Sequence, residues 1–279
     1  MAFCVCCVKL FESIIFVSLK DISDMQNNIY FASDFHFGVP DHDRSLEREK
    51  LFVKWLDEIR VNAAEIYLMG DLFDFWFEYK TVIPRGYVRL FGKLAEITDS
   101  GIQVHLFKGN HDMWAFNYMT KELNIQLHRD PEIKKFGNKI FYLAHGDGLG
   151  PGDHGYKFIK KVFQSPVNQW LFRWIHPDLG ITMALYWSRK SRYANLVRED
   201  RVQRDKDLIN SRLSVHSRKI LATNPEIDYF IYGHWHYPWD IQLTDKCRQI
   251  SLGDWLTNFT YAQFDGENLS LRKFVEVTK

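Results

Sequence analysis

The sequence predicts an α/β protein whose strands finish along one edge of a sheet, and three observations carry that expectation. Apolar runs of strand length alternate with stretches of helical period. Five such runs close in polar, metal-capable residues, often beside a glycine. The first intervals between those ends are 37 residues (Asp34 to Asp71), 39 (Asp71 to Asn110) and 35 (Asn110 to His145), each the length of one strand–helix–strand unit.

Taken in order, "NIYFASD" (28–34) reads as a short buried strand. "SLEREKLFVKWLDEIR" (45–60) sets Leu46, Phe52, Val53, Leu56 and Ile59 at near-helical spacing, so an amphipathic helix comes next. "EIYLMGD" (65–71) is a second strand, and "YVRLFGKLAEITDSG" (87–101) a helix that Gly101 terminates. Three more strands are expected in "IQVHLFKGNHD" (102–112), "NKIFYLAHGDG" (138–148) and "IDYFIYGHWH" (227–236). "TYAQFDGENLSLRKFVEV" reads as a hairpin across Asp265-Gly266. The step from His145 to His234 is 89 residues, too long for one crossover, which places an insertion at about 149–226. Gly70, Gly109, Gly146 and Gly233 are expected to turn the backbone tightly before the polar residues.

With 279 residues the chain can bury a substantial core, and its net charge of +1 gives no global attraction to nucleic acid or membrane. Three of the four cysteines (Cys4, Cys6, Cys7) crowd the first seven residues and Cys247 stands apart, a pattern of reduced thiols rather than a disulfide framework. The opening 24 residues are apolar but interrupted by Lys9, Glu12 and Lys20, short of the roughly 20 apolar residues of a membrane span. Residues 1–24 are therefore expected to be an extension outside the fold, with the folded domain at 25–279.

The strand ends collect Asp34, His36, Asp71, Asn110, His145, His234 and His236. Singly, an aspartate after a strand is a turn or capping residue and a histidine beside glycine is polar surface. Their recurrence at successive strand ends points instead to metal. Carboxylate, imidazole and amide oxygen without thiolate suit manganese, iron or zinc, and seven side chains suit two ions about 3.5–4 Å apart.

In order and spacing, "DFH", "GDLFD", "GNHD", "AHGDG" and "GHWH" resemble the five motifs of the calcineurin-like metallophosphoesterases. The resemblance spans roughly residues 28–265. It implies a four-layer sandwich of two mixed β-sheets flanked by helices, with a helical lid insertion. It also implies Asp34, His36 and His236 on one divalent ion, Asn110, His145 and His234 on the other, and Asp71 bridging. His111 is then a catalytic residue with Asp71, while Asp74 and Asp112 stand behind as supporting or turn residues.

The insertion is rich in aromatic residues (Phe158, Phe163, Trp170, Phe172, Trp174, Tyr186, Trp187), and between 157 and 204 ten Lys/Arg face three acids, a local net of +7. It fits a helical subdomain with solvated basic faces, or a lid whose apolar groove takes acyl chains and whose basic rim meets a membrane surface. Here the chain resembles the UDP-2,3-diacylglucosamine pyrophosphohydrolases of lipid A synthesis. "HGDGLGPGD" and "RKSRYANLVR" carry that likeness, which implies substrate contacts from Asn110, His111, Asp153, Ser191, Asn195, Arg198 and His234. It further implies a UDP-sugar lipid as partner, manganese as the ion, and a cytoplasmic enzyme at the inner membrane, with no stable nucleic acid partner. That family usually reads Gly-Asn-Arg-Asp at the third motif where this chain reads Gly-Asn-His-Asp. His111 keeps a second reading open, another phosphomonoesterase, phosphodiesterase or nuclease of the superfamily. A metal-free scaffold on this fold would need missing ligands, and none is missing.

Overall fold

The computed structural model describes residues 28–202 and 208–274, with side chains described except at 189, 191–202 and 208. The stretch 1–24 and the side chains of Ser191, Asn195 and Arg198 lie outside the described residues.

Strands β1 (Asn28–Ala32), β2 (Ala63–Leu68), β3 (Gln103–Phe107) and β4 (Gln126–His128) run parallel side by side. The hairpin β10 (Thr260–Phe264) and β11 (Leu269–Lys273) adds antiparallel to β1, completing a six-stranded sheet ordered β11-β10-β1-β2-β3-β4. A second, five-stranded sheet is ordered β5-β6-β7-β9-β8, from β5 (Glu132–Phe136), β6 (Lys139–Ala144), β7 (Tyr229–Tyr232), β8 (Pro238–Gln242) and β9 (Arg248–Leu252). Its centre is parallel and both edges antiparallel.

Side chains alternate across these strands, and in the central ones both faces are covered, so the sequence reads as unbroken apolar runs. Ile29, Phe31, Tyr67, Met69, Phe141, Leu143, Tyr229 and Ile231 fill the space between the sheets. Their neighbours Tyr30, Ala32, Ile66 and Leu68 face the other way, onto helices α1 (His42–Ile59), α2 (Val88–Asp99) and α3 (Tyr118–Leu123). Beneath the second sheet, Tyr142, Phe230, Tyr232 and Trp239 meet Leu213 of α7 (Arg212–Leu221). The result is the expected four-layer sandwich.

Between β6 and α7 the chain forms α4 (His154–Gln164), α5 (Pro166–Arg173) and α6 (Pro177–Val202). Neither α4 nor α5 has a fully buried residue. They rest on the sandwich through rings, Phe172 lying 4.8 Å from Phe77 and 4.7 Å from Trp114, whose indole nitrogen donates to the Phe163 carbonyl at 2.7 Å. Among the described residues no helix is long and apolar enough to cross a membrane.

The parallel registers decide where the strands stop. Ala32 pairs with Leu68, Leu68 with Leu106, and Ala144 with Tyr232. Each strand therefore ends flush with its neighbour, and the loops that leave the strand ends emerge along one rim.

Candidate metal centre

Asp34 and His36 flank Phe35, and that alternation sets the first loop. Phe35 is buried among Phe52 (centroids 4.4 Å) and Trp255 (5.5 Å), so its neighbours on either side face the rim. Aromatic pairs of this kind add roughly 0.5–1.5 kcal/mol each beyond their area. Arg48 of α1, buried although charged, donates to the carbonyls of His36 (3.1 Å) and Val39 and ties the loop down.

The structure brings all seven strand-end residues to this rim. Asp34 Oδ1 lies 3.4 Å from His236 Nε2 and 3.7 Å from His36 Nε2, and the two imidazole nitrogens are 3.2 Å apart. Ligand atoms sharing one ion at about 2.1 Å stand roughly 3.0–3.5 Å from each other, so this trio fits a single divalent cation. Asp71, His145 and His234 form a second such group. Asp71 Oδ2 sits between the groups, 3.3 Å from His145 Nε2 and 3.7 Å from His36 Nε2.

Three atoms test whether a cation belongs there. Asp34 Oδ1, Asn110 Oδ1 and His145 Nε2 are buried without a well-formed hydrogen bond, Asp34 Oδ1 and His145 Nε2 facing only oppositely charged rim groups at 3.4 and 3.3 Å. Leaving such a group poorly satisfied costs about 1–3 kcal/mol, more when it is charged, so the three suit a cation at this rim. The other atoms of these groups are spoken for. Asp34 Oδ2 accepts from the His234 amide at 2.8 Å, Asp71 Oδ1 from the His111 amide at 2.8 Å, and His145 Nδ1 bonds the Met69 carbonyl at 2.7 Å. Held by one end, each side chain presents the other.

The backbone is strained where the donors are carried. Asp34, His36, Asp71, His234 and His236 all have positive φ, between 46° and 69°. Left-handed conformation in non-glycine residues costs roughly 1–3 kcal/mol and concentrates at functional sites. Two glycines act otherwise than expected. Gly109 and Gly233 are absent from the residues with positive φ; a Cβ at Gly109 would stand 2.1 Å from Asp71 Oδ1, and at Gly233 2.0 Å from Ser33 Oγ. What they supply is room for the carboxylates to lie against the backbone.

A model of the calcineurin-like phosphoesterases matches residues 28–238, the span that carries this rim. The chain belongs to that family. A UDP-2,3-diacylglucosamine hydrolase of Porphyromonas gingivalis is 36% identical over 261 residues, 91% of this chain and all of the relative. Relatives of the same name from Pseudomonas fluorescens (27% identical, 77% of this chain, 84% of the relative) and Vibrio parahaemolyticus (28%, 87% and 96%) are more distant.

The charges at this phosphoesterase rim are mutually tuned. Burial raises the Asp34 carboxyl against the pull of His236 and His145. Burial also acts on Asp71, but His145, His111 and His36 outweigh it and hold that carboxyl well below the usual range. Burial would lower His145 and His236, yet their carboxylate neighbours lift them to about 10 and about 9. Burial and the adjacent His145 push His234 down to about 4, leaving it a neutral imidazole.

Four residues outside the seven support it. Asp112 accepts from the amides of Gly109 and Leu72, both at 2.7 Å, strapping two strand ends together, and burial with Asp71 nearby raises its carboxyl to about 6. Asp74 Oδ1 stands 3.4 Å from His36 Nδ1, and Asp254 Oδ2 stands 3.4 Å from His236 Nδ1. Such carboxylate–histidine pairs orient a metal-binding ring. Sequence reasoning missed Asp254, although "ISLGD" has the same apolar-run-then-Gly-Asp signature as the strands it did use. It also missed Asp147, buried and paired with Lys160 at 2.6 Å and the Tyr156 hydroxyl at 2.6 Å. His111 reaches the rim, its ring edge-on to His36 at 4.7 Å. Asp153 lies at the start of α4 in an ion pair with Arg212 at 2.9 Å.

Proposed function

We propose that this chain is a two-metal hydrolase that cleaves the pyrophosphate of UDP-2,3-diacylglucosamine to UMP and 2,3-diacylglucosamine 1-phosphate. The observation that carries the chemistry is the pair of adjacent ligand groups, Asp34, His36 and His236 and Asp71, His145 and His234, with Asp34 Oδ1, Asn110 Oδ1 and His145 Nε2 buried and lacking a well-formed hydrogen bond. The substrate rests on the name of the relatives, foremost the one aligned along its whole length.

In this reading Asp34, His36 and His236 hold one cation, Asn110, His145 and His234 the other, and Asp71 both. Oxygen and nitrogen donors without thiolate favour manganese, with iron or zinc also accommodated. Two divalent cations held there supply Lewis acidity, which lowers the pKa of water and offsets phosphoryl charge. The chain's own part is positional. The Asp71 carboxylate stays ionised across the physiological range, and His111 keeps Nδ1 on the Asp74 carbonyl (2.8 Å), leaving Nε2 for a phosphoryl oxygen.

Helices α4 to α6 are the lid in this proposal. Ser191, Asn195 and Arg198 stand at i, i+4 and i+7 along α6 and contact the sugar phosphate. Asp153, released from or shared with Arg212, reaches the same head group. The exposed apolar residues of α4 and α5, with Lys157, Lys161 and Arg173 interspersed, rest on the anionic face of the inner membrane from the cytoplasmic side. Residues 1–24 are dispensable, and a chain starting at Met25 turns over normally.

The test is release of UMP from UDP-2,3-diacylglucosamine with and without Mn2+, beside hydrolysis of bis(p-nitrophenyl) phosphate. Manganese-dependent UMP release is expected. Hydrolysis of the small diester with no UMP from the lipid would favour the second reading, a phosphodiesterase or phosphomonoesterase of the same family, which His111 in the third motif supports. Cosedimentation with phosphatidylglycerol vesicles, lost when Trp170 and Trp174 become serine, checks the membrane contact.

A further inference from the structure

A side chain of α6 reaches the strand-end rim. Ser188, in the middle of α6, places its hydroxyl 2.8 Å from Asp74 Oδ2 and 3.2 Å from His111 Nδ1. Asp74 is buried and stands on the His36 ring at 3.4 Å, so the serine touches a group that itself orients a strand-end histidine.

Proton accounting leaves one arrangement. The Asp74 backbone carbonyl can only accept, so at 2.8 Å it requires a proton on His111 Nδ1. The serine's single proton then goes to the Asp74 side-chain oxygen, and its own oxygen accepts the outer half of the Nδ1–H bond. Serine, aspartate and histidine are thus connected with no donor opposed to another donor. Within it, the ring plane of His111 and the face that carries its Nε2 are fixed partly by a helix that belongs to the insertion.

Another contact of α6, among its described side chains, is steric. Near its start, Gly180 lies so close to Tyr79 and Phe172 that a Cβ there would come within 2.6 Å of the tyrosine oxygen. Such packing locates the helix axis but tolerates sliding and rotation. One hydrogen bond given to a buried carboxylate and one taken from a histidine do not, because the pair fixes both register and rotation.

We propose that Ser188 is a positioning residue that latches α6 to the catalytic rim, so that the seating of the insertion sets the orientation of His111. This rests on the reading of the rim as the phosphoesterase site, but not on the identity of the substrate. Residues 191, 195 and 198 stand three, seven and ten positions further along the same helix. A substrate group held by that stretch would therefore bear on the same latch that aligns the histidine, coupling occupancy of the lid to the alignment of the rim.

The experiment compares Ser188→Ala and Ser188→Thr with wild type on bis(p-nitrophenyl) phosphate and on UDP-2,3-diacylglucosamine, with Mn2+. Ser188→Ala is expected to lower kcat about tenfold on the small diester with KM unchanged, the size of one hydrogen bond to a charged group. Threonine, which keeps the hydroxyl, restores most of it. In a His111→Ala background the Ser188→Ala change should add nothing; independent, multiplying losses would overturn the proposal. Hydrogen–deuterium exchange gives a readout that needs no substrate: amides of α6 around 183–190 exchange faster in Ser188→Ala while β1, β2 and β6 do not change. Unchanged exchange in α6, or a kcat equal to wild type on the diester, would overturn it. Failure of the UDP-lipid to react in every variant, wild type included, would defeat only the substrate assignment, since the diester and exchange arms still report.

Discussion

The strand-end rim and the helices α4 and α5 invert the usual burial rule in opposite senses. At the rim, carboxylates and imidazoles are sealed from water: Asp34, His36, Asp71, Asp74, Asp112 and His145 are all buried. In the two helices, large apolar side chains stand in water instead, with Phe158 68% exposed, Trp170 56% and Trp174 75%. Either inversion costs stability on its own. Elsewhere in the sandwich buried charges such as Arg48 and Glu49 are held by hydrogen bonds from the chain itself, so under the proposed function these two regions are where something other than the chain completes the structure. The rim lacks positive charge at fixed points, while the helices lack an apolar cover of loose shape. A rigid deficit suits ions and a diffuse one suits lipid.

Substitutions can break that contrast, and the largest effect is expected at Asp71. Asp71→Ala removes the carboxylate proposed to serve both groups; activity on any phosphoester should fall by about a thousandfold or more, with metal content reduced and circular dichroism unchanged. Full two-ion occupancy in the variant, measured by elemental analysis, would contradict the bridging role.

Asp254→Asn is the finer probe of the rim. It keeps the shape and weakens the partner of His236 Nδ1, so metal affinity should drop roughly ten- to hundredfold, read by titration with Mn2+. An unchanged affinity would make Asp254 merely a cap for the Thr257 and Asn258 amides, which it also binds at 2.9 Å each.

In the insertion, Arg198→Ala should cost roughly ten- to hundredfold on the UDP-lipid, the loss of one charge-assisted hydrogen bond of about 1.5–3 kcal/mol. The small diester should be hydrolysed as before. Equal losses on both would mean that the arginine supports folding rather than recognition.

The smallest effect is expected at Gly155, inside α4, where an added Cβ meets nothing within 4 Å. Gly155→Ala should be neutral or stabilising by about 0.5–1 kcal/mol in chemical denaturation. The same change at Gly109 drives a methyl into Asp71 Oδ1 and should destabilise. That pair of alanines separates a region with room from one without.

How much could be read from the sequence tracks the same divide. Central strands covered on both faces announce themselves as apolar runs, so β1, β2, β3, β6 and β7 and the donors that end them were legible. The strands that were not are the edge strands β4, β5 and β8, with compositions such as "EIKKF" that a half-solvated strand permits, and β9, an inner strand that buries the polar Gln249 and Ser251. On α1, Arg48 and Glu49 read as a solvated face, yet both are buried, the second accepting from the Arg89 and Leu90 amides at the start of α2. A charged side chain turned inward to hold a loop or a helix end leaves no periodic trace. Nor does a serine such as Ser188, ordinary in sequence and informative only through the groups opposite it.

The donors of each metal group come from both sheets: Asp34 and His36 succeed β1 while His236 succeeds β7, and Asp71 succeeds β2 while His145 succeeds β6. Any cation held there is a rivet through the seam of the sandwich, bound by the assembled pair of sheets and by neither sheet alone. By mass action it adds about 2.7 kcal/mol at a hundredfold excess over its dissociation constant. With cations held as proposed, the temperature at which this protein opens depends on the surrounding metal pool as well as on the chain, and chelation should lower it.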